Sequence, residues 1–442
     1  MGYIRGEARG QESLFPLALD DLIPTDHMCR VIDAFVVRLD IARLGFVRAE
    51  AAETGRPGYD PRDLLKLYLY GYLQQLRSSR RLEAECRRNV ELMWLLGRLT
   101  PDYKSIAEFR RMHLEAVTEA GAELVRFARS VGLVRGEWVA IDGSKFQAVA
   151  SARRVAERES VKRYLAAVEA GDQQDEPAID PGAVKAALDK LRSDPEPEAG
   201  FMRTTGGKVP AYNVQTAVDA EHALIVAHDV TTEKNDIRSL LPMAGAAQKA
   251  LGDPPVLNVV ADGGYSNGEQ AEACEARGIV AHVPGQRAVN NKGDGTLFDR
   301  RQFRYDAASD TLCCPAGETL TRKQLNKDKH YVVYTAPAEA CGACALKNRC
   351  TPSPRRYVCL HLHDAALDRL HRRATPERMR LRRCTVEHPF ATLKYRIFGH
   401  PRLLLRGLCG AKIEIALGVM AYNMKRMINQ LGGAKMVAAL QG

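Results

Sequence analysis

Apolar residues recur at three- and four-residue spacings from residue 12 to residue 130, with few β-branched runs, and predict a helical region. In GRPGYDPRDLLKLYLYGYLQ, Pro61 suits a first helical position, and Leu64, Leu65, Tyr68, Leu69 and Tyr72 fall on one face. Ser105 and Glu108 have capping-box spacing at a later helix start. At 138–141 the pattern becomes a short apolar run closing on Asp142-Gly143, which reads as a buried strand with a carboxylate at its C-terminal end. Residues 211–232 alternate and turn at 219–222, giving a hairpin of two strands. A helix over 236–251, a strand over 256–266 closing on Asp262-Gly263, a helix over 268–277 and a fifth strand at 279–285 complete the order. Residues 409–424 read as a buried helix, interrupted by Lys412 and Glu414 and too short to span a bilayer.

These elements predict five segments. Residues 1–130 form a helical domain; 131–150 with 201–295 form the first part of an α/β core; 151–200 are a charged helical insertion around a mobile loop. Residues 296–365 are a Cys-rich insertion, and 366–442 are the C-terminal helical part of the core.

Charge sharpens the picture. The 442 residues carry a formal net charge of +10, with 45% hydrophobic residues, which excludes a disordered or fibrous chain. The surplus is concentrated: between 371 and 406 ten Lys or Arg (Arg372, Arg373, Arg378, Arg380, Arg382, Arg383, Lys394, Arg396, Arg402, Arg406) face only Glu377 and Glu387, as expected where a phosphodiester backbone runs. Arg77, Arg80, Arg81, Arg87 and Arg88 read as one exposed helix pair, which is either a solvated face or a DNA contact. The N-terminus has no apolar stretch of signal-peptide length, and the cysteine distribution does not suit a disulfide scaffold, so a reducing cytoplasmic location near the nucleoid is expected.

Asp-Gly alone is a common turn signal. In a β-β-β-α-β-α order, however, the first strand and the strand after the first helix pair in parallel and bring Asp142 and Asp262 side by side. Like charges held that close need a cation, and oxygen ligands left open to phosphate suit Mg²⁺, two ions of which activate a nucleophile and stabilise a leaving 3′ oxygen. A third carboxylate is available in PERMRLRRCTVEHPFATLKYRIFGH, where Thr375 caps a helix, Pro376 begins it, and Arg383, Glu387 and Lys394 lie roughly on one face. Asp219, Asp229 and Asp236 read as turn or cap residues.

At these motifs the chain resembles bacterial insertion-sequence transposases of the DDE class, with an RNase H-like core and an InsH-like helical N-terminal domain. The resemblance rests on FPLALDDLIPTDHMCRVIDAF, GYDPRDLLKLYLYGYLQ, VAIDGSKF, TTGGKVPAYNVQTAVD, VVADGGYSN and VEHPFATLKYRIFG. It implies an RNase H-like five-stranded mixed sheet with helices, and Asp142, Asp262 and Glu387 as catalytic, Mg²⁺-binding residues, with Mn²⁺ as a substitute. The family's helix signature of Tyr, Arg, Glu and Lys is met by Arg383, Glu387 and Lys394, with Arg380 in the tyrosine's place; Pro389 implies a kink. Arg203, Lys208, Tyr212, Asn213 and Gln215 match a family motif suited to a phosphate or flipped base, the competing reading being ordinary hairpin chemistry. Lys145, Lys394 and Arg396 are further DNA-contact candidates.

Cys341-x2-Cys344, Cys350 and Cys314, the last ahead of Pro-Ala-Gly, suggest a structural Zn²⁺ site in a zinc-ribbon-like insertion; reduced, unliganded cysteines are the alternative, and Cys359, His361 and His363 are possible substitutes. The expected function is cut-and-paste transposition: binding of terminal inverted repeats, two-metal-ion cleavage and strand transfer, with a homodimer in the synaptic complex. The rivals are an endonuclease on the same core that never joins strands, and a domesticated, non-catalytic DNA-binding protein.

Overall fold

The computed structural model describes residues 18–50, 58–171, 181–204, 206–285, 297–326 and 331–442. Residues 172–180, within the 151–200 insertion where a loop is expected, and Thr205 of the TTGG turn lie outside the described residues.

The N-terminal region is helical: α1 (Met28–Arg38), α2 (Pro61–Leu73), α3 (Ser79–Cys86), α4 (Val90–Leu95), α5 (Tyr103–Met112) and α6 (Leu114–Ser130). α2 departs from the expected single apolar face, being buried on all sides. It is enclosed by its neighbours, and two of its three tyrosines find partners inside: Tyr68 donates to the Ile106 carbonyl and Tyr70 to Glu91, both at 2.7 Å. α5 is capped by Asp102, which accepts from the backbone of Lys104 and Ser105, and not by Ser105; the carboxylate one turn earlier reaches the free N–H groups first.

The mixed sheet has six strands instead of five: β1 (Trp138–Gln147), β2 (Gly200–Thr204), β3 (Gly207–Asp219), β4 (Ile225–Thr231), β5 (Leu257–Val260) and β6 (Ile279–His282). The order β2-β3-β1-β5-β6 has β2 and β4 sharing one edge of β3, a half each. β1 runs antiparallel to β3 and parallel to β5, and β5 is parallel to β6. From Pro210 to Asp219, β3 is buried on both faces, the signature of a central strand covered by helices. The charged insertion supplies α7 (Ala152–Gly171) and α8 (Pro181–Arg192), and the crossover from β4 to β6 supplies α9 (Leu240–Ala250) and α10 (Gly268–Ala276).

The Cys-rich segment forms a second, antiparallel sheet of β7 (Arg304–Asp306), β8 (Thr311–Cys313), β9 (Thr319–Asn326), β10 (Tyr331–Thr335) and β11 (Tyr357–His361), around its own small core. Two short helices, α11 (Ala338–Gly342) and α12 (Lys347–Cys350), sit between β10 and β11. The chain returns to the first sheet through α13 (Asp364–Arg373) and α14 (Pro376–Thr392), the latter capped by Thr375 with Pro376 at its first position. Pro389 cannot donate to the helix ladder, and the turn following α14, Leu393–Ile397, widens to a π-helix. The last helices are α15 (Gly407–Leu431) and α16 (Gly433–Gln441). α15 is the buried helix expected at 409–424; it packs against α2, α6 and β4, with the Asn423 side chain bonded to both backbone groups of Ile225. No described helix is long and apolar enough to cross a membrane.

Candidate active site

The pairing register builds the site. The last parallel pair between β1 and β5 is Ala140 with Val260, and each strand carries an aspartate two residues beyond it, Asp142 and Asp262. β1 does not end at Asp142 as expected from the Asp-Gly signal, because β3 keeps pairing with it as far as Gln147 opposite Ala211. Beyond β5, Asp262 caps a short turn, accepting from the Gly264 backbone N–H at 2.8 Å.

Between the two carboxylates stands Arg382, delivered by α14. Its Nη2 donates to Asp142 Oδ1 at 2.6 Å and lies 3.5 Å from Asp262 Oδ2. Burial pushes the Asp142 carboxyl up to about 6; the Arg382 guanidinium opposes this and the Asp262 charge adds to it. Lys394 approaches from the π-helical turn, its ammonium 5.8 Å from the centre of the Phe146 ring. Burial lowers the Lys394 amine and the nearby Asp142 charge opposes that shift.

Neighbours along a strand point to opposite faces, so Gly143 and Lys145 look away from Asp142. On that side β3 offers Asn213 and Gln215, the register partners of Lys145 and Gly143. Both amides donate to Asp236 Oδ1, at 2.7 and 2.6 Å, and the Lys145 ammonium lies 3.6 Å from the same oxygen. Tyr265 donates to Gln215 Oε1, tying this cluster to the Asp262 turn. Gly143 leaves this cluster its room, since an added Cβ would press into Gln215 Nε2 and stand 2.7 Å from Asp236 Oδ1. Asp236 is therefore more than the turn or cap residue expected from sequence. Its place in TTEKNDIRS, a polar connection, gave no signal of a side chain directed at the sheet.

The other candidates divide. Glu387 and Arg383 are exposed on α14. Arg382, about 100° round the helix from Arg383, takes the inward direction. Tyr212 is buried and donates to Glu196 Oε1 at 3.2 Å. Arg203 and Lys208 are exposed register partners near the tip of the β2–β3 hairpin. Arg396 is exposed, and its carbonyl accepts from the Gln75 side chain at 3.0 Å. Arg80, Arg81, Arg87 and Arg88 are exposed, whereas Arg77 is buried, against the expectation that it shares their surface.

In the second sheet Cys314, Cys341, Cys344 and Cys350 line one cavity of about 380 Å³, which Cys359, His361 and His363 do not. Cys314 Sγ accepts from the Glu318 backbone N–H at 3.3 Å, and Gly317 takes the φ of 87° that closes the turn. Burial raises the Cys350 thiol, with the three other thiols adding to the shift against Arg356. Among the described residues, no three His, Cys, Asp or Glu side chains stand in a set that would hold a metal ion as they are placed.

The profile of the Transposase DDE domain family matches residues 188–424, and that of a Transposase domain family (DUF772) matches residues 17–112. No curated protein matches the chain. Among solved structures, one weak likeness is to the piggyBac transposase in a synaptic complex with hairpin DNA, with a TM-score of 0.33 and 8% identity over 93% of this chain and 78% of that one.

Proposed function

The chain belongs to the Transposase DDE domain family, and from that premise we propose that it excises and inserts an insertion sequence, cutting DNA at terminal inverted repeats and joining the freed 3′ ends to target DNA. The observation that carries this reading is the equal offset of Asp142 and Asp262 beyond the Ala140–Val260 pair, with one cationic nitrogen reaching both. The strand order β4-β3-β1-β5-β6, three antiparallel then two parallel, supports an RNase H-like core.

The donor set fits a hard divalent cation: two carboxylates that already share a positive partner, at a strand end open to solvent on the Asp262 side. When bound, Mg²⁺ at this place supplies Lewis-acid activation of the attacking oxygen and stabilisation of the leaving one. Asp142 and Asp262 hold it, and Glu387 is the proposed third carboxylate by its match to the family motif. Lys394, near Asp142, is suited to orient substrate phosphates, and Lys145, beside Asp236 on the other face of β1, is a second proposed phosphate contact. Arg203, Lys208, Arg383 and Arg396, all exposed, are the proposed backbone contacts. Synapsis of two ends implies at least a dimer. A structural Zn²⁺ on Cys314, Cys341, Cys344 and Cys350 is proposed from their common cavity and the N–H to sulfur bond at Cys314.

The test is a Mg²⁺- or Mn²⁺-dependent strand-transfer assay on DNA carrying the element's ends, comparing wild type with Asp142→Ala and Glu387→Ala. Joined products in the wild type that vanish in both variants support the reading. Cleavage without joining points to the endonuclease, binding without cleavage to a non-catalytic DNA binder, and unchanged activity in either variant removes that residue from the site.

A further inference from the structure

We propose that Arg382 is the resident counter-cation of this site: it bridges Asp142 and Asp262 in the DNA-free protein, and it passes to a DNA phosphate when a divalent cation takes its place. This rests on the reading that the two aspartates hold the metal.

Three observations support the exchange. One nitrogen, Nη2, meets both carboxylates, at 2.6 and 3.5 Å, so guanidinium and divalent ion compete for the same oxygens. The guanidinium is incompletely satisfied, because its Nε is buried without a hydrogen-bond partner among the described residues; a group held chiefly by charge yields to a stronger charge. Finally, Arg382 stands next to the exposed Arg383 on α14, and a planar guanidinium freed from the carboxylates is well shaped to take the oxygens of an incoming phosphodiester. The side chain is only 15% exposed, yet it springs from α14 between the exposed Arg383 and the buried face of that helix, at the border of site and surface.

The experiment is a Mn²⁺ titration of the full-length, DNA-free protein, followed by electron paramagnetic resonance of the free ion. Replacing the cation by a neutral chain of similar length, Arg382→Gln, is expected to tighten Mn²⁺ binding by about tenfold, because apparent affinity scales with the fraction of molecules whose site is free. Arg382→Lys, which keeps the charge on a compact ammonium, is expected to fall between the two and serves if the glutamine variant does not fold. Unchanged or weaker Mn²⁺ binding in the folded variants overturns the proposal. Asp142→Asn and Asp262→Asn separate its failure from that of the underlying reading: if they leave Mn²⁺ binding as it is in the wild type, or if the wild type binds none, the aspartate pair itself is not the metal site.

Discussion

Arg77 and Glu414 form a buried ion pair across 337 residues of sequence, with Nη1 3.2 Å from Oε2. Glu414 is fully enclosed in α15, where its other oxygen accepts the backbone N–H groups of Leu404 and Leu405 at 2.7 and 2.5 Å. Arg77 also donates to the Arg402 carbonyl and stacks 4.7 Å from the centre of the Phe398 ring. The pair thus fixes the helical N-terminal region to the loop and helix that follow α14, so the position of the basic segment depends on a residue from the other end of the chain.

Glu414 also feels the buried Arg110, so removing one partner of the pair weakens its neutralisation without abolishing it, and Glu414→Gln and Arg77→Met should each destabilise the protein by at most about 3–5 kcal/mol. The double variant should lose less than the two single losses combined, because neither charge is then stranded. Urea unfolding of the three variants measures this; additive losses would show that the pair is not coupled.

Sequence pattern makes the strand-end aspartates legible, because a parallel pairing of the first and fourth core strands follows from element order, and with it their common edge. It does not make Arg77 legible: a cation after a helix reads as solvent-facing unless its partner, 337 residues away, is known. Nor does it separate Arg382 from Arg383. Both belong to one basic run, and which faces inward is set by the phase of α14, fixed by Val386, Pro389 and Phe390 packing into the core. Asp236 is hidden for a different reason, since its significance lies in Asn213 and Gln215, whose own pattern is that of an ordinary buried strand.

Gly143 is the position where the two faces of β1 come closest to conflict. Gly143→Ala must displace Gln215 and Asp236, at an overpacking cost of about 1–3 kcal/mol. Strand cleavage should fall with it, because Asp142 is the adjacent residue on the same strand. Thermal unfolding together with cleavage rate tests this, and an alanine variant of wild-type stability and rate would mean that the cluster has room to yield.

Asp236→Asn keeps an oxygen to accept from Asn213 and Gln215 but removes the charge beside Lys145. Cleavage rate should drop about 10- to 100-fold, as for other supporting groups behind an active site, while affinity for DNA stays near that of the wild type. Measured together, an equal loss in both would assign Asp236 to DNA binding instead.

If the four cysteines hold Zn²⁺, the purified protein should contain about one equivalent, and Cys344→Ser or Cys350→Ser should remove it. The first sheet has a separate core, so loss of the metal should raise proteolysis within 297–361 and spare α15. Elemental analysis and limited proteolysis decide it: metal-free wild-type protein that is equally protease-resistant would mean that these are simply reduced cysteines in an apolar cavity.

The exposed arginines of α3 and of the turn after it give two different expectations for DNA. Arg87 and Arg88 are already paired with Glu83 and Glu85 of α3, whereas Arg80 lies over the Tyr103 ring at 5.2 Å and makes no ion pair among the described residues. If this face touches the phosphate backbone, Arg80→Ala and Arg81→Ala should each lower the slope of log affinity against log salt by about 0.9. Arg87→Ala and Arg88→Ala should change it little, because their charges are half neutralised at home. Fluorescence anisotropy on duplex DNA at several salt concentrations separates the cases. Four unchanged slopes would mean a solvated surface, and four equal decreases would mean that these pairs open on binding, so that the glutamates are displaced by phosphate.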